Sequence, residues 1–106
     1  MEGGSDGART SPLGAFHASE LPFVFQPAAA TAATFFTPAE LRLSDRMIGY
    51  WTKFALSGNP NGRAAPGWER FTNRENSFQS LAPDATGSVT TFAADHRCAF
   101  WASLAA

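Results

Sequence analysis

The sequence predicts an incomplete α/β unit with one long amphipathic helix, a short C-terminal helix and a few short strands. Ten phenylalanines and three tryptophans in 106 residues form a heavy aromatic load, and such side chains need large surfaces to pack against. The apolar face of the long helix requires a sheet as its neighbour, yet no segment has the pattern of a central strand. We therefore expect a fragment of a larger domain, or a chain with an obligate partner.

The long helix is predicted over Pro38–Ser57. Thr37 is a good N-cap residue, proline is well tolerated at the first helical position, and Glu40 follows the cap by three residues. Gly58 is expected to end the helix, and the Asn-Pro-Asn-Gly run at 59–62 has the composition of a turn.

One face of this helix is expected to contact a core, because small and apolar residues recur at spacings of three and four. They are Leu41, Ser44, Met47, Ile48, Trp51, Phe54 and Ala55. The opposite face carries Arg42, Asp45, Arg46 and Lys53, which indicate a solvated surface. Two roles are open for Tyr50, Trp51 and Phe54, lining a substrate site or packing in a core. The continuous helical spacing favours the core.

Weaker elements are expected before the long helix. The first twelve residues carry little apolar surface and are predicted to be a flexible lead-in. Leu21–Phe25 is short and β-prone, although Pro22 limits any strand to an edge or to its first residues. The Ala/Thr-rich tract Gln26–Thr34 is predicted to be a loop.

After the helix, Arg63–Pro83 is expected to be irregular. Ser88–Phe92 is β-prone and is expected to pair with Phe78–Leu81 across the turn-rich residues 83–87. A short helix is predicted over Ala94–Leu104. Its expected cap is Asp95, and one side is expected to carry Cys98, Trp101 and Leu104.

Charge and composition argue against several classes of protein. Eight Lys and Arg residues stand against nine Asp and Glu residues without a basic stripe, so we expect no nucleic-acid partner. No apolar run approaches the roughly 20 residues that span a bilayer, so no membrane span is expected. One cysteine cannot form an internal disulfide, and Cys98 with His96 is too small a cluster for a zinc site.

A nucleophile-elbow pattern, G-x-S-x-G, occurs at Gly3–Gly7. The chemistry of that motif needs a buried strand before the serine and a helix after it. Only two residues precede Gly3, and no helix is expected to follow. The pattern is therefore interpreted as part of the flexible terminus.

His17 is the stronger candidate for chemistry. An imidazole titrates near neutral pH and can take up and return a proton as a general base, provided that a nucleophile and an orienting acid are within reach. By composition alone, a histidine in a mixed loop is more often a surface or structural residue. Glu20 follows three residues later and could pair with His17 on a helical turn or cap the local backbone.

The segment GAFHASELPFVF, Gly14–Phe25, resembles the histidine loop of the type-B carboxylesterases, the serine hydrolases that include the cholinesterases. Three later blocks resemble the same family in the same order. They are LSDRMIGYWTKFALSGNPNG at Leu43–Gly62, Trp68 with Phe71 in a W-x-x-[FY] stretch, and HRCAFWASL at His96–Leu104. The resemblance runs from about residue 11 to residue 104, and four ordered blocks are far more specific than one motif.

This resemblance implies that residues 13–106 are the C-terminal part of an α/β-hydrolase fold. In such a fold a serine attacks an ester carbonyl, histidine is the base and a glutamate or aspartate orients it, with no cofactor. His17 takes the position of the catalytic histidine. Glu20 stands where the family has an acidic residue that supports the loop and is not the triad acid.

The departures from the family are also informative. The family order of serine, acid and then histidine puts the other triad members upstream of His17. No elbow serine, triad acid or oxyanion-hole glycines are recognised here, so the chain alone is expected to be inactive and to need the missing N-terminal part.

Gln26 replaces a frequent glycine, and Cys98 matches a disulfide position whose partner would be upstream. Cys98 is expected to be a half-buried free thiol.

The alternative to a carboxylesterase segment is a non-catalytic remnant or small interaction module that reuses this scaffold.

Overall fold

The computed structural model describes residues 14–28, 35–72 and 76–105. The elements in chain order are helix α1 at Leu21–Val24, helix α2 at Pro38–Ser57, strand β1 at Phe78–Ser80, strand β2 at Gly87–Val89, helix α3 at Phe92–Asp95 and helix α4 at Cys98–Ser103. The predicted lead-in over residues 1–12, the Gly3–Gly7 pattern and positions 29–34 of the predicted loop lie outside the described residues.

Helix α2 confirms the predicted bounds and both predicted ends. At its N-terminus, Thr37 Oγ1 accepts a hydrogen bond of 3.2 Å from the Glu40 amide and donates one of 3.1 Å to the Glu40 carboxylate. Gly58 adopts the left-handed conformation with φ of +75°, which glycine tolerates at a helix C-terminus. Local chemistry therefore defines where this helix begins and ends.

The predicted strand pairing is confirmed as a short antiparallel hairpin. Phe78 pairs with Val89, Gln79 with Ser88 and Ser80 with Gly87. The second strand ends at Val89, before the predicted limit of Phe92, because Phe92 begins helix α3.

The expected β-prone segment Leu21–Phe25 is wrong, because Leu21–Val24 forms helix α1. Pro22 lies in the first turn of this helix, where its missing N–H is no loss. The Phe25 amide donates a 2.8 Å hydrogen bond to the Leu21 carbonyl. A helical turn satisfies this backbone locally, whereas a strand would need a pairing partner.

The predicted single C-terminal helix is replaced by two short helices, α3 and α4. They are separated at Arg97, whose φ of +52° is left-handed. Asp95 is the last residue of α3 and not a cap. Neither helix buries a residue, so the expectation of a half-buried Cys98 is also wrong, and its free thiol is exposed.

The core is small and lies between α1 and the first half of α2. It contains Phe23, Leu43 and Met47, and the residues packed partly against it are Val24, Phe36 and Leu81. The buried residues of α2 are Glu40, Leu43, Ser44, Met47 and Tyr50. The expected core face is therefore correct at Ser44 and Met47, and the core role favoured for Tyr50 is also correct, but the prediction omits Leu43.

The second half of the predicted core face is exposed. Trp51 keeps 40% and Phe54 keeps 60% of its surface accessible, and Ala55 is exposed as well. Among the described residues, α1 covers only the first half of α2. Helix α1 therefore leaves the C-terminal half of the predicted face uncovered.

Candidate active site

His17 lies in a tight turn that runs directly into helix α1. The Ser19 amide donates to the Phe16 carbonyl at 3.0 Å, and the Leu21 amide donates to the Ala18 carbonyl at 3.2 Å. Ala18 has a φ of +65°, a left-handed conformation that is uncommon for residues other than glycine. The turn presents His17 at the surface while Ser19 is buried.

The structure does not bring Glu20 and His17 together. Across residues 14–28, 35–72 and 76–105, neither side chain makes a hydrogen bond or an ion pair. Glu20 acts locally through its backbone, because its carbonyl accepts from the amides of Phe23 and Val24 at 3.0 Å each. Neither local role expected for the Glu20 side chain is present among the described residues, because it does not pair with His17 and makes no capping hydrogen bond to α1.

Ser44 anchors the end of α1 to the middle of the core. Its Oγ donates a buried hydrogen bond of 2.7 Å to the Phe23 carbonyl and accepts one of 3.2 Å from Gln26 Nε2. Ser44 has no accessible surface. The Phe23 ring also stacks on Phe36, with centroids 4.9 Å apart.

The sequence predicts Ser44 on the core face, but not its hydrogen bond to the end of α1. A hydroxyl at a buried helical position was the available signal, because a buried hydroxyl needs a partner. The partner itself, the carbonyl of Phe23, could not be inferred while residues 21–25 were expected to be extended.

A second feature is an open aromatic groove of about 740 Å³. Tyr50, Trp51 and Phe54 line one wall, and Trp68 lies opposite them. Trp68 packs edge-on against Tyr50 with ring centroids 5.1 Å apart and at a tilt against Trp51 at 6.4 Å. His17 is not among the lining residues, so the groove and the histidine turn are separate features.

The three aromatic residues of α2 divide between the two roles that their sequence left open. Tyr50 is buried, and its hydroxyl donates a 2.5 Å hydrogen bond to the Pro66 carbonyl. Gln79 Nε2 donates to the same hydroxyl at 3.3 Å. Tyr50 is thus a core residue, whereas Trp51 and Phe54 form the open wall of the groove.

The hydrogen bonds from Arg42 hold the pKa of Asp84 below its usual range, and Asp84 raises the pKa of Arg42. This pair joins α2 to the hairpin turn and does not include His17.

His96 and Cys98 are exposed. His96 Nδ1 lies 2.9 Å from the Phe92 carbonyl, and its ring stacks on Phe92 with centroids 4.0 Å apart. The described residues contain no group of three His, Cys, Asp or Glu side chains placed to hold a metal ion. Within the same residues, no helix is both long enough and apolar enough to cross a membrane.

Comparison with known proteins supports the family resemblance found in the sequence. The chain matches the Carboxylesterase family over residues 2–101. This chain belongs to the carboxylesterase family. Its membership implies an α/β-hydrolase fold, of which the described helices and two-stranded sheet are consistent with a part.

Curated carboxylesterase relatives match most of this chain. It is 38% identical over 93 residues to "Cocaine esterase" of Homo sapiens, a match that covers 88% of the chain and 16% of the relative. It is 34% identical over 91 residues to "Carboxylesterase 4A" of Bos taurus, covering 86% of the chain and 16% of the relative.

"Acylcarnitine hydrolase" of Rattus norvegicus is 38% identical over 85 residues, which cover 80% of the chain and 15% of the relative. The chain therefore spans about one sixth of the length of these relatives, consistent with a carboxylesterase fragment. No solved structure gives a significant match.

Proposed function

We propose that this chain is the segment of a serine carboxylesterase that supplies the general base, His17. The main support is the position of His17 in a chain of the carboxylesterase family. His17 lies in an exposed turn, and backbone hydrogen bonds through α1 connect that turn to the buried Ser44. A general base must be open to substrate and yet fixed in position, since small displacements cost large factors in rate. The His17 turn meets both requirements.

The proposed reaction is hydrolysis of a carboxylic ester in two steps. His17 takes the proton of the nucleophilic serine as its oxygen attacks the ester carbonyl, and then gives that proton to the leaving alcohol. Water next attacks the acyl-enzyme while His17 takes one of its protons. The serine leaves with that proton, and the carboxylic acid is released. No cofactor is required.

The serine, its triad acid and the oxyanion donors belong to the N-terminal part of the fold in this proposal. That part is also the proposed partner of the chain, and the substrate of the intact enzyme is a small ester. Glu20 supports the histidine loop through the backbone contacts of its carbonyl, which accepts from Phe23 and Val24. The chain alone is inactive because the base has no nucleophile to activate.

The decisive experiment is a chimera in which this chain replaces the corresponding segment of an active carboxylesterase. The chimera should hydrolyse an aryl ester, and His17→Ala should lower kcat by about 10³-fold or more, as loss of a triad member does. His96→Ala is the matched control, because His96 is the other histidine of the chain and is also exposed.

Equal activity of the His17→Ala and unmodified chimeras would show that His17 is not the base. An inactive chimera that still folds and binds a substrate analogue would favour the alternative function, a non-catalytic module that reuses the scaffold. Retained activity in His96→Ala with loss in His17→Ala supports the proposal.

A further inference from the structure

We infer that Ser44 and Gln26 are positioning residues for His17, acting as a clamp on the end of helix α1. The inference rests on the proposed function of His17 and adds the residues that hold its turn in place. The clamp consists of two hydrogen bonds that meet at one atom, Ser44 Oγ. That oxygen donates to the Phe23 carbonyl at 2.7 Å and accepts from Gln26 Nε2 at 3.2 Å.

The two residues bonded to Ser44 lie on either side of the C-terminal end of α1. Phe23 lies in the helix, Phe25 is its C-cap residue, and Gln26 is the next residue along the chain. The last carbonyls of a helix have no partner inside the helix and must be satisfied from elsewhere. Ser44 supplies that partner for Phe23 and at the same time holds the side chain of Gln26.

A continuous path of backbone hydrogen bonds joins the clamp to the histidine turn. The Phe25 amide donates to the Leu21 carbonyl, and the amides of Val24 and Phe23 donate to the Glu20 carbonyl. The Leu21 amide donates to the Ala18 carbonyl, and the Ser19 amide donates to the Phe16 carbonyl. All five distances lie between 2.8 and 3.2 Å. His17 lies within the last of these loops. Displacement of Phe23 therefore transmits to the turn that carries the imidazole.

Helix α1 cannot hold this position by itself. It has four residues, and isolated helices far longer than this are marginal in water. Its N-cap residue, Glu20, makes no side-chain hydrogen bond to the helix. The other attachments are the packing of Phe23 in the core and of Val24 partly against it, and this packing is not directional. The hydrogen bond from Ser44 adds the directional constraint.

Gln26 is the second residue of the clamp, and its side-chain amide is the group that bonds to Ser44. Gln26 reaches it across 18 positions of sequence and satisfies an acceptor site on the buried hydroxyl. The two residues therefore act together, and removal of either weakens the same contact.

The test uses the folded chimera in which this chain replaces the corresponding segment of an active carboxylesterase, labelled with ¹⁵N, and needs no substrate. Native-state amide hydrogen exchange is measured for Ser19, Leu21 and Val24 in the turn and α1. Ser44→Ala leaves the buried Phe23 carbonyl without its partner, so exchange at these amides should rise about tenfold. Exchange at the Gly58 amide, bonded to the Phe54 carbonyl at the far end of α2, should stay unchanged.

A second readout follows the backbone of His17 itself. Its ¹⁵N order parameter should fall in Ser44→Ala from about 0.85, typical of rigid backbone, towards the value of about 0.6 below which backbone is flexible. Ser57→Ala is the matched control, since it removes an exposed hydroxyl from the same helix, bonded to the Lys53 carbonyl at 3.0 Å. This control should change neither readout.

Gln26→Ala keeps the test decisive if Ser44→Ala unfolds the chain. Gln26 is exposed, so its replacement leaves the core intact and should produce a smaller rise at the same amides. Unchanged exchange in Gln26→Ala, or an equal rise at all amides in Ser44→Ala, would overturn the inference. Because neither readout involves hydrolysis, an inactive chimera contradicts the proposed function alone, whereas unchanged exchange contradicts the clamp alone.

Discussion

Arg42 binds Asp84 through two guanidinium nitrogens, Nε and Nη2, across 42 residues of sequence. Arg42 Nη2 lies 2.9 Å from Oδ2 and 3.0 Å from Oδ1 of Asp84, and Arg42 Nε lies 3.2 Å from Oδ1. The pair joins the turn between β1 and β2 to the N-terminal part of α2. Arg42 and Asp84 form a long-range ion pair, and both side chains are more than half exposed.

The Arg42–Asp84 pair should make the chain less stable as the pH falls. The hydrogen bonds from Arg42 lower the pKa of Asp84 in the folded chain, so the native state binds the proton less readily than the unfolded state. The contribution of Asp84 is therefore complete above about pH 5 and is lost as the pH falls through and below its unfolded pKa of about 3.9. Solvent exposure keeps the contribution small.

Urea denaturation of Asp84→Asn at pH 7 and pH 3 checks this expectation. The variant should be slightly less stable than the unmodified chain at pH 7, and the difference should shrink at pH 3 and in high salt. Asp45→Asn is the control, as Asp45 is an exposed aspartate of α2. A difference that grows on acidification would contradict the assigned sign.

Tyr50→Phe should destabilise the chain by about 1–3 kcal/mol, because the buried partners of its hydroxyl lose a hydrogen bond. The partners are the Pro66 carbonyl at 2.5 Å and Gln79 Nε2 at 3.3 Å. Among the residues that the structure describes, Gln79 Oε1 is already buried without a hydrogen-bond partner. Denaturation followed by tryptophan fluorescence measures the change.

Thr52→Val is the matched control for that variant. It removes a hydroxyl on an exposed turn of the same helix, bonded to the Ile48 carbonyl at 2.8 Å. Stability of Thr52→Val should stay close to that of the unmodified chain. Equal losses in the two variants would mean that the Tyr50 hydroxyl does not hold the segment around Pro66.

The isolated chain should self-associate or fold only marginally. Large apolar side chains with at least half of their surface exposed include Phe54, Phe71, Phe100, Trp101 and Leu104, and exposed apolar patches promote association. Denaturation at several protein concentrations, with binding of a dye for apolar surface, should give a concentration-dependent transition and clear dye binding.

Trp101→Ser should reduce both dye binding and association, since Trp101 is 63% exposed on helix α4, which buries no residue. Met47→Ser is the contrasting variant, because Met47 is 1% exposed and its loss should increase dye binding. A sharp transition that is independent of concentration, without dye binding, would show that the chain is a self-sufficient domain.

The purified chain should hydrolyse simple aryl esters no faster than free imidazole at the same concentration. A base without a nucleophile and an oxyanion site lacks the groups that supply most of the rate enhancement. His17→Ala should leave this background unchanged within the contribution of one imidazole. Turnover with a covalent organophosphate adduct on Ser5 would contradict the expectation and restore the Gly3–Gly7 pattern as a nucleophile candidate.

Some of the candidate site could be predicted from the sequence. The four ordered blocks identified the family and singled out His17. The contacts that hold its turn could not be predicted, because they join residues far apart in the chain. Ser44 and Phe23 are 21 positions apart, and no spacing rule relates a helix hydroxyl to the carbonyl of an element that was expected to be a strand.

The sequence by itself determined helix α2, its two ends and the pairing of the two strands. These features depend on interactions among near neighbours, such as the cap between Thr37 and Glu40 and the left-handed Gly58. Only the tertiary structure decided that Leu21–Val24 is helical, and that Leu43 is buried while Phe54 is exposed. A short apolar run is compatible with strand or helix, and the face of a helix that becomes buried depends on which neighbours cover it.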